Sequence, residues 1–238
     1  MDEIERIPTY IVGFDDHMDG GIPAGHLVLV AGTSGTMKST VTYYIQYKNA
    51  LNDGRKCIYV SLEQSISSLL DHMTAFGMDA ESVKDKLEIW DLGSIRTDKF
   101  TGDLWLNVFK RDIQDYHEKF GMDILVIDSL PALEIVAGFK KPRLELFHFF
   151  EWLRSLGLTV LLISEMSRDS KKYSKYDEDF IADGIIHLKM ELIGENNVQR
   201  RIRCVKMRST EHSPNFFTLL SSKCKFEVTK VIGEKSDF

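Results

Sequence analysis

Val28-Leu29-Val30-Ala31-Gly32-Thr33-Ser34-Gly35-Thr36-Met37-Lys38-Ser39-Thr40 is the stretch on which the fold turns. An apolar run of strand character ends in a turn holding two glycines, and a helical stretch opens at a lysine followed by two hydroxyl residues. Strand, glycine turn and helix start, in that order, describe a phosphate-binding loop. Backbone N–H groups from Gly32 to Thr40 can point at a phosphate chain, where the helix dipole also favours negative charge. In such a loop Lys38 reaches the β- and γ-phosphates and the Ser39 hydroxyl ligates magnesium, so ATP with Mg2+ is the implied ligand pair. The usual pattern has glycine immediately before the lysine, and Met37 stands there instead. A positive φ would be costly for methionine, so the sequence predicts that the helix starts at Met37 in the ordinary right-handed region.

Outward from this loop, apolar strand-like runs alternate with amphipathic helical stretches. Strands are expected at His26–Ala31, Cys57–Leu62, Leu87–Asp91, Ile124–Ile127 and Thr159–Ser164. Helices are expected at about Lys38–Asn52, over Ile66–Phe76, around Trp105–Phe120 and at Leu144–Leu156. Such alternation means parallel strands joined by crossover helices, and near-continuous apolar strands fit a sheet covered on both faces. Past residue 184 the pattern changes to Gly184–Leu192, Val198–Met207, Phe216–Leu220 and Lys225–Thr229, which read as antiparallel strands with a turn near Asn196. The predicted architecture is α/β, a mostly parallel central sheet flanked by helices with C-terminal antiparallel strands.

Two carboxylates stand at strand tips. Asp128 follows the run Ile124–Ile127 and is placed to meet magnesium opposite Ser39; the bland alternative is a helix N-cap. Glu63-Gln64 ends the Cys57–Leu62 strand at the same sheet edge, where ligands bind. A carboxylate there can orient or deprotonate water for attack on a γ-phosphate, although an acid at a helix start also suits the dipole alone.

The 238 residues, with 43% hydrophobic and 28% charged side chains, suit one domain spanning 1–238. No apolar run approaches the ~20 residues of a membrane helix and the N-terminus has no signal-peptide core, so a cytoplasmic location is expected. A net charge of −6 argues against nucleic acid as the main partner. Cys57, Cys204 and Cys224 have no ligand spacing and are read as reduced and structural; the seven histidines suggest no zinc site.

The segment Gly13-Phe14-Asp15-Asp16-His17-Met18-Asp19-Gly20-Gly21-Ile22-Pro23-Ala24-Gly25, followed by the phosphate loop, closely resembles the ATPase domain of the KaiC family. The resemblance covers about residues 8 to 230. It implies a RecA-like P-loop NTPase that assembles as a six-membered ring with ATP at the subunit boundaries and acts through a regulatory protein partner. Members carry two adjacent acids after the second strand; here the first is Glu63 and the second place holds Gln64, which can still position water, so slow ATP hydrolysis is implied.

The segment Lys206-Met207-Arg208-Ser209-Thr210-Glu211-His212 resembles the family's K-x-R segment, which reaches across the boundary to a neighbour's ATP. On that resemblance Lys206, Met207, Arg208, Thr210 and His212 join the nucleotide site. Two fixed cations there can neutralise charge developing on the γ-phosphate only in the assembled ring. Without the resemblance, the stretch reads as an exposed strand with alternating basic residues, Arg201, Arg203 and Lys206. The autokinase domain of KaiC carries two hydroxyl residues shortly before a T-D step. Here that step is Ala182-Asp183 and the pair reads Asp179 and Phe180, so no such autophosphorylation is expected.

The tip Ser164-Glu165 resembles the family's nucleotide-sensing position. The basic loop Arg168–Tyr176 behind it reads as a solvated loop, with single-stranded nucleic acid as the other option. Two other functions stay open: a non-enzymatic scaffold gated by ATP, in the manner attributed to the KaiC-like component of the archaeal motility machine, and a RecA-type ATPase acting on DNA.

Overall fold

The apolar run Leu27–Gly32 is buried along its whole length, which requires covering layers on both of its faces and a hydrogen-bonded strand on each side. The computed structural model describes residues 4–93, 102–167 and 172–231. A short ribbon, β1 (Arg6–Ile7) and β2 (Ile22–Pro23), precedes the central strand β3 (Leu27–Gly32). Then follow α1 (Lys38–Asn52), β4 (Cys57–Ser61), α2 (Ile66–Ala75), β5 (Leu87–Asp91), α3 (Asp103–Phe120) and β6 (Ile124–Asp128). The chain continues through α4 (Leu130–Ala137), α5 (Pro142–Ser155), β7 (Thr159–Glu165) and the single turn α6 (Glu178–Ile181). It closes with β8 (Gly184–Ile193), β9 (Asn197–Met207), β10 (Phe217–Ser222) and β11 (Lys225–Lys230).

The main sheet has the order β11-β10-β9-β8-β3-β7-β6-β4-β5. Strands β3 to β8 run parallel to one another, and β9, β10 and β11 are antiparallel. The sequence grouped β8 with the antiparallel tail. It serves both halves, pairing parallel with β3 and antiparallel with β9.

Helices α1 and α2 cover one face, with Tyr43, Ile45, Met73 and Phe226 in its core. Helices α3, α4 and α5 cover the other, around Phe109, Phe149, Phe150 and Leu133. The aromatic helix α5 is thus mainly core, although Leu144 and Phe147 remain exposed. Helix α4 was not anticipated. Pro131 in its first turn and Gly138 at its end are the signals that mark it.

Register decides where the chemistry gathers. Gly32 is opposite Glu165 and Ser61 is opposite Asp128, so four parallel strands deliver their tips to one sheet edge. Among the described residues no helix is long and apolar enough to cross a membrane.

Candidate functional site

The loop leaving β3 is held by close contacts rather than by chance. A Cβ on Gly32 would stand 2.4 Å from the carbonyl oxygen of Leu188 and 2.8 Å from Oγ1 of Thr36, so β8 and the loop can both close on this position only because it is glycine. Thr36 donates its hydroxyl to the Thr33 carbonyl at 2.8 Å, and Lys38 Nζ donates to the same oxygen at 3.0 Å. The lysine therefore lies folded across its own loop.

Met37 does not behave as the sequence suggests. It has φ 74° and ψ 27°, in the left-handed region, and α1 begins only at Lys38. The turn needs a left-handed residue before the lysine, and methionine adopts it at the cost that glycine would avoid. Its side chain packs against the core cluster beneath α1 and α2, which offsets part of that strain.

At the tip of β6, Asp128 accepts a hydrogen bond from the hydroxyl of Tyr59 on β4, and the Ser39 hydroxyl at the start of α1 is near enough to favour its charged form. Burial raises the Asp128 carboxyl above its ordinary range, the Tyr59 and Ser39 hydroxyls work against that rise, and nearby Glu63 adds to it. Burial lowers the Lys38 ammonium, resisted by Glu165, Asp128 and Glu63. Glu63 is exposed and accepts a hydrogen bond from the Ser129 hydroxyl. The main chain of Gln64 is clipped to the Ser61 hydroxyl, which donates to its carbonyl at 2.6 Å.

One cavity of about 670 Å³ opens here, walled by the loop from Ser34 to Thr40, by Glu63, Gln64 and Asp128, and by Glu165 and Arg200. Its side chains include three carboxylates, Glu63, Asp128 and Glu165, against two cations, Lys38 and Arg200. A polyphosphate cannot approach three carboxylates unless a further cation lies between them, and the oxygen donors of Ser39 and Asp128 suit a hard divalent ion. The residues fit Mg2+ on that chemistry.

The family model described as "ATPase: KaiC" matches residues 7–229. The chain belongs to the KaiC ATPase family. It is 28% identical over 215 residues to the circadian clock oscillator protein KaiC of Thermostichus vulcanus, which covers 88% of this chain and 41% of that protein. It is also 28% identical over 230 residues to the circadian clock protein KaiC3 of a Synechocystis strain, covering 93% of this chain and 45% of that one. The chain thus spans less than half the length of the curated relatives it matches. Among solved structures it is similar to a KaiC-like protein from the hyperthermophilic archaeon Pyrococcus horikoshii OT3, with TM-score 0.80 and 28% identity, over 95% of this chain and 100% of that one.

Within this KaiC-family domain the K-x-R segment does not gather with the phosphate loop of its own chain. Met207 pairs with Gly184, which lies beside Val28, whereas the loop leaves Gly32 beside Leu188. Lys206 and Arg208 therefore stand at the opposite end of the sheet. Met207 has a buried side chain, Thr210 accepts from Arg6 Nη1 at 2.9 Å, and His212 Nδ1 lies 3.1 Å from the Thr210 carbonyl. Of the basic loop, residues 168–171 lie outside the described residues. The described histidines, cysteines and acids form no cluster able to hold a metal on their own.

Sequence reasoning missed several residues of the cavity wall, among them His72, Phe76 and Arg200. His72 and Phe76, on α2 and at its C-terminal end, have ring centroids 5.0 Å apart, and His72 Nε2 lies 3.0 Å from Oγ1 of Thr40. The i, i+4 spacing was legible, but α2 was read as one core stripe, and these two residues face the loop. Arg200 comes from β9, whose antiparallel return across β8 places it there; no local motif points to it.

Proposed function

We propose that this chain binds ATP with Mg2+ between the loop Gly32–Thr40 and the tips of β4, β6 and β7, and hydrolyses it slowly as one subunit of a head-to-tail ring. The observation that carries the reading is the convergence of Lys38, Ser39, Asp128 and Glu63 in one cavity, delivered by strand register. Backbone N–H groups of the loop and Lys38 hold the β- and γ-phosphates. Ser39 and Asp128 hold the metal, which supplies charge neutralisation on the phosphates. Glu63 takes the proton of the attacking water and Gln64 helps to place that water. The ring of Phe76, with His72 beside it, offers an aromatic face for the base. Lys206 and Arg208, turned away from their own loop, complete the site of a neighbouring copy, with Thr210 and His212 beside them and Met207 contributing its main chain.

A second reading, an ATP-gated scaffold without turnover, is favoured by two observations. Ser129 occupies one oxygen of Glu63, and Gln64 stands where a second acid would be. In either case the chain acts through a protein partner rather than through nucleic acid.

Native mass of the purified protein with and without Mg-ATP, followed by phosphate release from the same fractions, separates these readings. A nucleotide-stabilised hexamer that releases phosphate, with release lost in Glu63→Gln and weakened in Arg208→Ala, supports the ring ATPase. A hexamer without release supports the scaffold, and a monomer that hydrolyses ATP as fast as any assembly overturns the shared site.

A further inference from the structure

Lys206 and Arg208 are not loose cations on a strand end. Lys206 Nζ donates to the carbonyl oxygens of Ala182 at 2.6 Å, Asp179 at 3.0 Å and Phe180 at 3.4 Å. Arg208 Nη1 donates to Asp183 Oδ1 at 2.8 Å, and its main-chain N–H donates to the Asp183 carbonyl at 2.9 Å. Asp183 is itself fixed from two sides. Its Oδ2 accepts from the Leu27 N–H at 3.1 Å, and Arg154 of α5 contacts both carboxylate oxygens at 3.4 Å. Arg154 also donates to the Ile181 carbonyl, so one guanidinium braces both the turn that holds Lys206 and the acid that holds Arg208. Burial alone would raise the Asp183 carboxyl, yet the Leu27 N–H and the two arginines hold it below its ordinary range.

Carbonyls left without an intrahelical partner at the end of a helical turn are natural acceptors for cationic side chains. Here a seat of this kind occupies residues 179–183, directly before β8, and it takes both cations at once. Two such side chains would otherwise sample many rotamers, and ordering them only at the moment of reaction would be costly.

We propose that Asp183, with the carbonyls of Asp179–Ala182 and the brace Arg154, is the positioning device that presents Lys206 and Arg208 to the nucleotide of the neighbouring copy. This rests on the shared-site reading of the previous subsection. Asp183 touches no nucleotide; it acts through Arg208. Its effect is therefore one-sided, felt in the subunit that supplies the cations and not in the subunit that holds the ATP.

Mixed rings test that sidedness. A supplier subunit carries Glu63→Gln, and an acceptor subunit carries Lys206→Ala with Arg208→Ala. Neither releases phosphate alone, and mixing restores release, at roughly a quarter of the sites for an equal mixture joined head-to-tail at random. Adding Asp183→Asn to the supplier is expected to cut the restored rate roughly tenfold. The same change in the acceptor leaves it intact. Arg154→Gln, which leaves Asp183 in place, is expected to give the same supplier-only loss to a smaller extent, and serves if Asp183→Asn does not fold. Equal loss from either subunit, or no loss from either, overturns the positioning role while the shared site stands. Absence of restored release in the starting mixture overturns the shared site and the positioning role with it.

Discussion

Tyr59 donates its hydroxyl hydrogen to Oδ2 of Asp128 at 2.5 Å. The two residues sit on neighbouring parallel strands, and the phenol is wholly buried. A carboxylate that is to hold a metal needs its lone pairs aimed, and a partner on the remaining oxygen does this. Tyr59→Phe removes that partner and leaves a buried acceptor short of a donor. Mg2+-dependent phosphate release is expected to fall about tenfold or more, with the half-saturating Mg2+ concentration raised. The fold is expected to lose about 1–3 kcal/mol. A Mg2+ titration of release, set beside metal-free ADP binding that stays unchanged, checks the assignment; equal loss of ADP binding would point to general collapse.

Glu134 of α4 is a second buried acid with a readable consequence. Burial first, and then the neighbouring Glu178, push its carboxyl up to about 7, against the pull of Lys175 at 3.8 Å. A carboxyl raised in the folded state keeps a proton that the unfolded chain has released. Stability is therefore highest below the ordinary value of 4.5, declines as pH rises towards 7, and stays low above it. Glu134→Gln is expected to raise the melting temperature at pH 8 by about 2–4 °C, on the order of 1 kcal/mol once solvent screening is allowed for. At pH 4 the two proteins should melt together. A lower melting point for the variant at pH 8 would mean that the Lys175 pair outweighs burial.

Met37 separates strain from packing. At φ 74° a methionine bears a penalty that glycine does not, yet its side chain rests on the core. Met37→Gly removes the strain together with the contact, while Met37→Ala removes the contact and keeps the strain. Ala is therefore expected to be less stable than Gly here by about 1 kcal/mol, the reverse of their order inside a helix. Urea unfolding of the two variants decides the matter, and Ala at least as stable as Gly would show that the left-handed turn is not maintained.

What could be read from the sequence follows a physical division. Leu27–Gly32, Ile124–Asp128 and the tips beside them were legible because a buried parallel strand is an uninterrupted apolar run. Met37 was misjudged because local propensity argued for a right-handed residue, whereas the turn that leads into α1 holds this position at φ 74°. Arg200 and the Asp183 seat were invisible for another reason. Each depends on the register of β9 against β8, which includes a shift between Ile185 and Ile186, and no local motif encodes where such a shift will fall.

Phe76 gives the cleanest test of how the cavity divides between phosphate and base. It closes α2 beside His72, whose ring is fixed by Thr40, so two aromatic faces stand next to the loop that holds Lys38. If the base lies on Phe76, removing the ring weakens every adenine nucleotide by the same factor and leaves the chemical step alone. Phe76→Ala is therefore expected to raise Kd for ATP and ADP alike about tenfold, with kcat at saturation unchanged. Phe76→Tyr should restore binding. Inorganic triphosphate, which has no base, should bind both proteins equally, and it supplies the control that a loosened phosphate loop would fail. Weaker triphosphate binding, or a fall in kcat without a change in Kd, would place Phe76 behind the loop as support and return the base to another wall of the cavity.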